Sequence, residues 1–428
     1  MPRISLPLRW LPLAAACVLA FCLPLANAQP PLERANGLFQ AGKFTDAKSA
    51  YHEALKAEPG DVAARVRLGE IALLGNHLDE AVRYLKQALD HEAGNEDAQK
   101  LLAEAFYRQG RFDLAAPLQR ARGRDAVADK LESFQGKQPY EITPGVDVTE
   151  LEFVQTDPLP IVRARINDSR DIFLLIDLGA PELILDAQLA DELGLKRFGA
   201  VVGTFAGGRQ ASVEQAAVDA IKLGEFEVRN VPVALMPIRS RMMMGMHEFD
   251  GILGTIMLYH FVPTLDYADG KLILRRPIST VLTELDARAK KAAIPPIPFW
   301  MAGDHFMVAW GRVNQAPPCL MLLDTGMAGG GFGCTEETLK AANIELSEGS
   351  GVGMGGGGAV RITPITVHEL SLGEYKQTDV RGFYGGFPKI SESGWGFKVG
   401  GIVSHGFLRH AAITLDFVNM RFLVEAGK

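Results

Sequence analysis

The second half of this chain contains itself twice, and duplication of that kind tends to build a fold with internal symmetry. Asp250-Gly-Ile-Leu-Gly-Thr-Ile-Met-Leu-Tyr-His-Phe-Val-Pro-Thr-Leu-Asp266 returns 150 residues later as Gly400-Gly-Ile-Val-Ser-His-Gly-Phe-Leu-Arg-His-Ala-Ala-Ile-Thr-Leu-Asp416. Across 250–274 and 400–424, seven of 25 positions are identical without a gap. Ile221-Lys-Leu-Gly-Glu-Phe226 answers Leu370-Ser-Leu-Gly-Glu-Tyr375 at an offset of 149, and Arg165-Ile-Asn167 answers Arg312-Val-Asn314 at 147. At that same offset of 147, Phe173-Leu-Leu-Ile-Asp177-Leu-Gly-Ala180 matches Leu320-Met-Leu-Leu-Asp324-Thr-Gly-Met327. Each is an apolar run of the kind that makes a buried strand, ending in a carboxylate and a glycine turn. A lone D-x-G is ordinarily an Asp capping its own turn. Two of them at matching places in a duplicated unit are harder to dismiss, because duplication tends to create a pseudo-two-fold axis near which equivalent residues meet, and a buried carboxylate needs a partner.

These residues resemble the aspartic proteases, specifically two retropepsin-like lobes fused in one chain as in the pepsin-like enzymes. The resemblance rests on Asp324-Thr-Gly326, Asp177-Leu-Gly-Ala180, the apolar-apolar-glycine triplet Ile252-Leu-Gly254, and a Gly-rich hairpin between aspartate and triplet in each copy (203–208 and 351–358). It implies a bilobal all-β double barrel of the acid-protease kind, with lobe 1 over 158–276, an inter-lobe linker over 277–296 and lobe 2 over 297–428. It implies Asp177 and Asp324 as the catalytic pair, supported by Gly179, Ala180, Thr325, Gly326 and Gly254. Phe205, Gly207, Gly208, Met354 and Gly355 become flap residues facing an extended peptide or protein substrate, and no metal or organic cofactor is required. Two close carboxyls cannot both ionise readily, so the pair keeps one proton, and its ionised member activates water.

The pattern departs from the family at Leu178, which stands where a Thr or Ser hydroxyl bonds across the axis, leaving Thr325 to make half of that grip. Ser404 replaces the glycine of the second triplet (Ile402-Val-Ser404), and Met327 fills a place often small or hydroxylated. The alternative reading is therefore an impaired, protease-like module that binds a peptide or protein.

Ahead of the duplicated unit, residues 32 to about 124 repeat every 34 positions. Ala47, Ala81 and Ala115 keep that spacing, as do Gly42, Asn76 and Gly110, and Ala35, Gly69 and Ala103. Small residues let paired helices approach, Gly and Asn make the turns, and Leu38, Tyr51, Leu55, Leu68, Leu85, Leu89, Leu102, Phe106 and Leu118 fill the gaps. The period, with Pro59 closing the first unit, resembles the tetratricopeptide repeat. Such an array either presents a surface to a partner protein or stacks on its neighbouring domain as a spacer. The expected whole is a multidomain α and β protein: helical repeats over 29–124, a linker over 125–157, then the β lobes.

The first 28 residues place Arg3 and Arg9 before an apolar run that closes on Ala26-Asn-Ala28, the order of a secretory signal peptide, with export to the periplasm or exterior as its consequence. Beyond it only Cys319 and Cys334 remain, as a disulfide or as two thiols. A net charge of −7 gives no electrostatic basis for binding nucleic acid. Gly351-x-Gly-x-x-Gly356 fits the dinucleotide fingerprint in letters only, because a β-branched segment with a proline follows it where a helix is needed. His260 and His410, equivalent by the repeat, are expected to share a packing role. Met242, Met243, Met244 and Met246 form a soft apolar group in a loop.

Overall fold

A computed structural model of the protein describes residues 30–205, 208–239, 247–355, 358–385 and 394–427. The leader (1–28), Gly207 and the methionine group at 242–246 lie outside the described residues, and Met354 and Gly355 are described only as backbone of a strand.

The 34-residue period becomes three antiparallel helix pairs: α1 (Pro31–Gln40) with α2 (Phe44–Ala57), α3 (Val62–Leu74) with α4 (Leu78–His91), and α5 (Glu96–Arg108) with α6 (Phe112–Ala121). Gly42, Asn76 and Gly110 sit in the turns at φ of 71°, 58° and 69°, the left-handed region those residues tolerate. Asp61 and Asn95 cap α3 and α5 by accepting from the Ala64 and Ala98 N–H groups, each at 2.9 Å. Gly69 is small because a Cβ there would lie 2.6 Å from Leu85 Cγ on the paired helix. A further helix, α7 (Asp125–Glu132), packs on α6.

Lobe 1 carries β1 (Glu141–Ile142), β2 (Val148–Gln155), β3 (Ile161–Ile166), β4 (Asp171–Asp177), β5 (Leu183–Asp186), α8 (Ala187–Glu192), β6 (Arg197–Phe205), β7 (Arg209–Leu223) and β8 (Phe226–Met236). It ends with β9 (Gly251–Gly254), α9 (Thr255–Tyr259), β10 (Thr264–Asp266) and β11 (Lys271–Arg275). Helix α10 (Ser279–Lys291) leads to lobe 2: β12 (Ile297–Ala302), β13 (Phe306–Val313), β14 (Cys319–Asp324), β15 (Phe332–Cys334) and α11 (Glu336–Ala341). Then follow β16 (Gly351–Gly355), β17 (Gly358–Leu372), β18 (Tyr375–Tyr384), β19 (Gly401–Ser404), α12 (His405–Leu408), β20 (Ala411–Asp416) and β21 (Arg421–Ala426).

The duplication is visible in the pairing. Strands β3-β4-β9-β5-β8-β7 close on β3 as a six-stranded barrel, and β13-β14-β19-β15-β18-β17 close on β13 in the same order. Closure removes the unpaired edges that invite aggregation. Under both barrels runs a six-stranded antiparallel sheet, β2-β11-β10-β20-β21-β12, shared by the lobes. At its centre Thr264 pairs with Thr414, its own repeat equivalent, and their hydroxyls are 2.8 Å apart. The pseudo-two-fold axis passes through that pair.

Two expected linkers are built into the domain. The stretch 125–157 carries α7, which packs on β6 and β7, and β2, which pairs with β11 and β3, so the β domain begins before residue 158. The inter-lobe stretch 277–296 is largely α10, whose Val281, Leu285 and Ala289 pack against Val262 and Leu423. The helical array also packs on the β domain. Phe39 and Phe44 make edge contacts with Phe397 at 5.8 and 5.0 Å, and Phe44 with Trp300 at 5.3 Å, inside one shared apolar cluster.

The pairing expected of His260 and His410 fails. His260 stacks on Tyr140 at 4.2 Å, and burial pushes its imidazole down to about 4, whereas His410 is exposed beside Arg409. Cys319 and Cys334 are both free thiols. Gly351–Gly355 is a strand leading into β17, so no helix opens after the G-x-G.

Candidate active site

Each aspartate stands at the end of a strand buried between two neighbours. Asp177 closes β4 opposite Gly254 of β9, and Asp324 closes β14 opposite Ser404 of β19, the same register in both lobes. The glycine turn that follows each strand then faces the other lobe. A Cβ at Gly179 would lie 2.6 Å from Asp324 Cγ, and one at Gly326 would collide with the Asp177 carboxyl. Glycine is therefore required at both positions so that each loop can touch the opposing acid.

The two carboxyls converge on one donor, the Gly326 N–H. Asp177 Oδ1 also accepts from the Gly179 N–H at 2.7 Å and, across the axis, from the Gly326 N–H at 3.1 Å. Asp324 Oδ1 accepts from the Gly326 N–H at 2.9 Å. Burial pushes both acids above the usual carboxylate range. Asp324 goes well above it because the Asp177 charge adds to burial, whereas N–H donors and His305 restrain the rise at Asp177. The pair consequently keeps a proton under conditions in which a solvated aspartate has lost it.

The surviving half of the grip is made. Thr325, fully buried, accepts from the Leu178 N–H at 2.9 Å and donates to the Ile176 carbonyl at 3.2 Å, both in the opposite lobe. Leu178 is equally buried, and its carbonyl accepts instead from Thr255 Oγ1 at 2.8 Å. The departure at Ser404 also finds a reason. In lobe 1 a Cβ at Gly254 would strike the Glu182, Pro181 and Ala180 carbonyls, while in lobe 2 Ser404 Oγ donates to the Met327 carbonyl at 2.5 Å. Thr325→Val is expected to lose about 1–3 kcal/mol of stability, read by chemical unfolding, because two buried partners lose their bond.

The hairpins β6–β7 and β16–β17 occupy the same place in their lobes and reach each other, with the Arg209 guanidinium donating to the Ala359 carbonyl at 3.0 Å. Phe205, at the tip of the first, packs in an apolar cluster with Ala180, Ile184, Val213 and Ile252 of lobe 1 and Ala328 of lobe 2. Gly208 is an exposed tip residue at φ 72°. The structure thus gathers Asp177, Asp324, Gly179, Ala180, Thr325, Gly326, Gly254 and Phe205 into one region.

Residues that the sequence did not single out also meet there. His305, in the β12–β13 turn, places Nε2 3.2 Å from the Gly179 carbonyl and Nδ1 2.5 Å from Asp304 Oδ1. Lys130 of α7 holds Glu182, beside the lobe 1 loop, at 2.8 Å. The buried Tyr267 hydroxyl lies beside Thr325. No local pattern announces these residues, since the contact that brings each of them to the site is to a residue more than 50 positions away in sequence.

Residues 162–256, the heart of lobe 1, match the family model described as aspartyl protease. Residues 32–89 and 72–118 match two tetratricopeptide-repeat models. Among solved structures the chain is similar to a retropepsin-like aspartic protease from Rickettsia conorii, at 20% identity over 32% of this chain and 95% of that one, with a TM-score of 0.23. A search of curated proteins finds no match. With the family match on lobe 1 and its duplicate in lobe 2, the chain carries tetratricopeptide repeats followed by an aspartyl protease-like domain.

Proposed function

We propose that this protein is an exported aspartic endopeptidase. The observation that carries the reading is the pair of acids, one from each lobe, converging on the Gly326 N–H between two glycine turns. With one proton between them, the ionised carboxylate takes a proton from water as that water attacks the peptide carbonyl. The protonated carboxyl donates to the carbonyl oxygen, and collapse of the tetrahedral species expels the amine without a covalent intermediate. The two hairpins close over an extended peptide, and the cluster around Phe205 favours an apolar side chain beside the cut. Export follows from the leader, and the faces of the repeats turned away from the β domain remain for a partner protein.

The second reading, a peptide-binding module without turnover, is favoured by Leu178, which removes half of the grip. Leaderless protein incubated with a denatured protein or peptide library from acid to neutral pH is expected to cleave it, and a statine-type inhibitor to block the cleavage. Leu178→Thr is expected to raise kcat/KM while giving up about 1–2 kcal/mol of burial. Peptide binding with no cleavage by either protein would establish the binding module, and cleavage by the variant alone would mark an impaired enzyme.

A further inference from the structure

The two lobes treat their aspartates unequally, and the difference lies in a turn of lobe 2. Residues 303–305 join β12 to β13 and extend to the lobe 1 catalytic loop. There His305, 7% exposed, stands over the Phe306 ring with Asp304 on one side and the Gly179 carbonyl on the other. Both ring nitrogens face oxygens that only accept, a carboxylate and a carbonyl. The imidazole is satisfied on both sides only when it carries both protons and a positive charge.

The repeat-equivalent position in lobe 1 is Pro158. Its neighbour Asp157 accepts from His405 Nε2 at 2.8 Å, a contact with α12 and not with the catalytic glycine. Asp177 therefore has an imidazole behind its loop, whereas the equivalent place behind Asp324 is held by a proline.

The turn is in turn fixed from the helical array. Arg108 of α5, its side chain fully buried, donates to the Leu73 carbonyl at 2.9 Å, to the Met301 carbonyl at 3.3 Å and to the Gly303 carbonyl, and it pairs with Glu104. The Asp304 carboxyl, about half exposed, is held well below its usual range by the His305 imidazole and the Arg108 guanidinium. Burial, with Asp304 adding to it, pushes Glu104 up to about 7 against the pull of Arg108. Beyond its own turn His305 faces Asp177, which shares the Gly326 N–H with Asp324, and Asp304 faces Glu104, Arg108 and Tyr107 of α5, with Tyr140 and Glu182 behind them.

We propose that His305 is a positioning residue, held by Asp304 and Arg108, which fixes the Gly179 loop and keeps the negative charge of the pair on Asp177. The repeats then form part of the active-site scaffold. This deepens the peptidase reading, so its test is chosen to need no turnover.

In an Asp324→Asn background Asp177 titrates alone, and 13C NMR of labelled aspartate carboxyls follows it in the full leaderless chain. Adding His305→Gln or His305→Asn is expected to raise its midpoint by about one pH unit. Arg108→Met, which frees the turn, should move it in the same direction by less. An unchanged midpoint in both His305 variants overturns the proposal whether or not the parent cleaves peptides. In the chain that retains Asp324, if it is active, the acid limb of the kcat/KM profile should move up with His305→Gln. A uniform loss across all pH values would reduce His305 to a structural prop and overturn its role in placing the charge.

Discussion

Asp324→Asn is expected to lower kcat for peptide cleavage about 10²–10⁴-fold, and Asp177→Asn to do the same, because either change removes the proton exchange on which water attack depends. Neither loss should come from unfolding. The Asp324 carboxyl is raised in the folded state, first by burial and then by the Asp177 charge. Between the unfolded value near 3.8 and that raised value, the folded protein holds a proton that the unfolded chain has released, so stability falls as pH rises through the window. Asparagine removes this dependence while its amide oxygen still accepts from Gly326. Denaturant melts at acid and neutral pH should therefore show the variant gaining on the parent as pH rises, while a peptide assay shows it inactive. A variant that keeps its activity would remove Asp324 from the mechanism.

The second large effect lies far from the acids. Phe44 is 2% exposed and meets Phe39, Trp300 and Phe397, so it belongs to the array and to lobe 2 at once. Phe44→Ala is expected to cost about 3–5 kcal/mol. The loss should appear as one cooperative transition in which helical and β signals melt together, because a single apolar cluster spans both parts. Deleting residues 30–124 strips the same face from lobe 2 and exposes Trp300, Phe397 and Leu320, and the remainder is expected to aggregate. Separate melting of helix and sheet in the variant would show that the two parts fold independently.

The features legible in the sequence were those that repeat. The 34-residue spacing placed the helix turns because Gly42, Asn76 and Gly110 each need a left-handed backbone. The 147-residue offset paired Asp177 with Asp324 because equivalent residues near an axis meet. What repetition does not cover was misread or missed. Residues 125–157 looked like a linker because Pro and Gly interrupt the helical pattern, yet β2 is stitched into the shared sheet by a partner about 120 residues away. His260 and His410 looked equivalent, but only His260 has Tyr140 to stack on, and Tyr140 lies outside the duplicated unit. His305 drew no notice because its meaning depends on Gly179 in the other lobe and on Arg108 in the helices.

The Thr264–Thr414 contact, in which a residue meets its own counterpart, is the geometry of a dimer of identical halves written into one polypeptide. Two separate copies would be bound to mirror every change: a leucine at one catalytic turn would be a leucine at both, and no threonine would be left to brace the centre. Covalent joining lifts that obligation. One half can then lend the other both the brace and an imidazole, so the two acids no longer stand in identical surroundings.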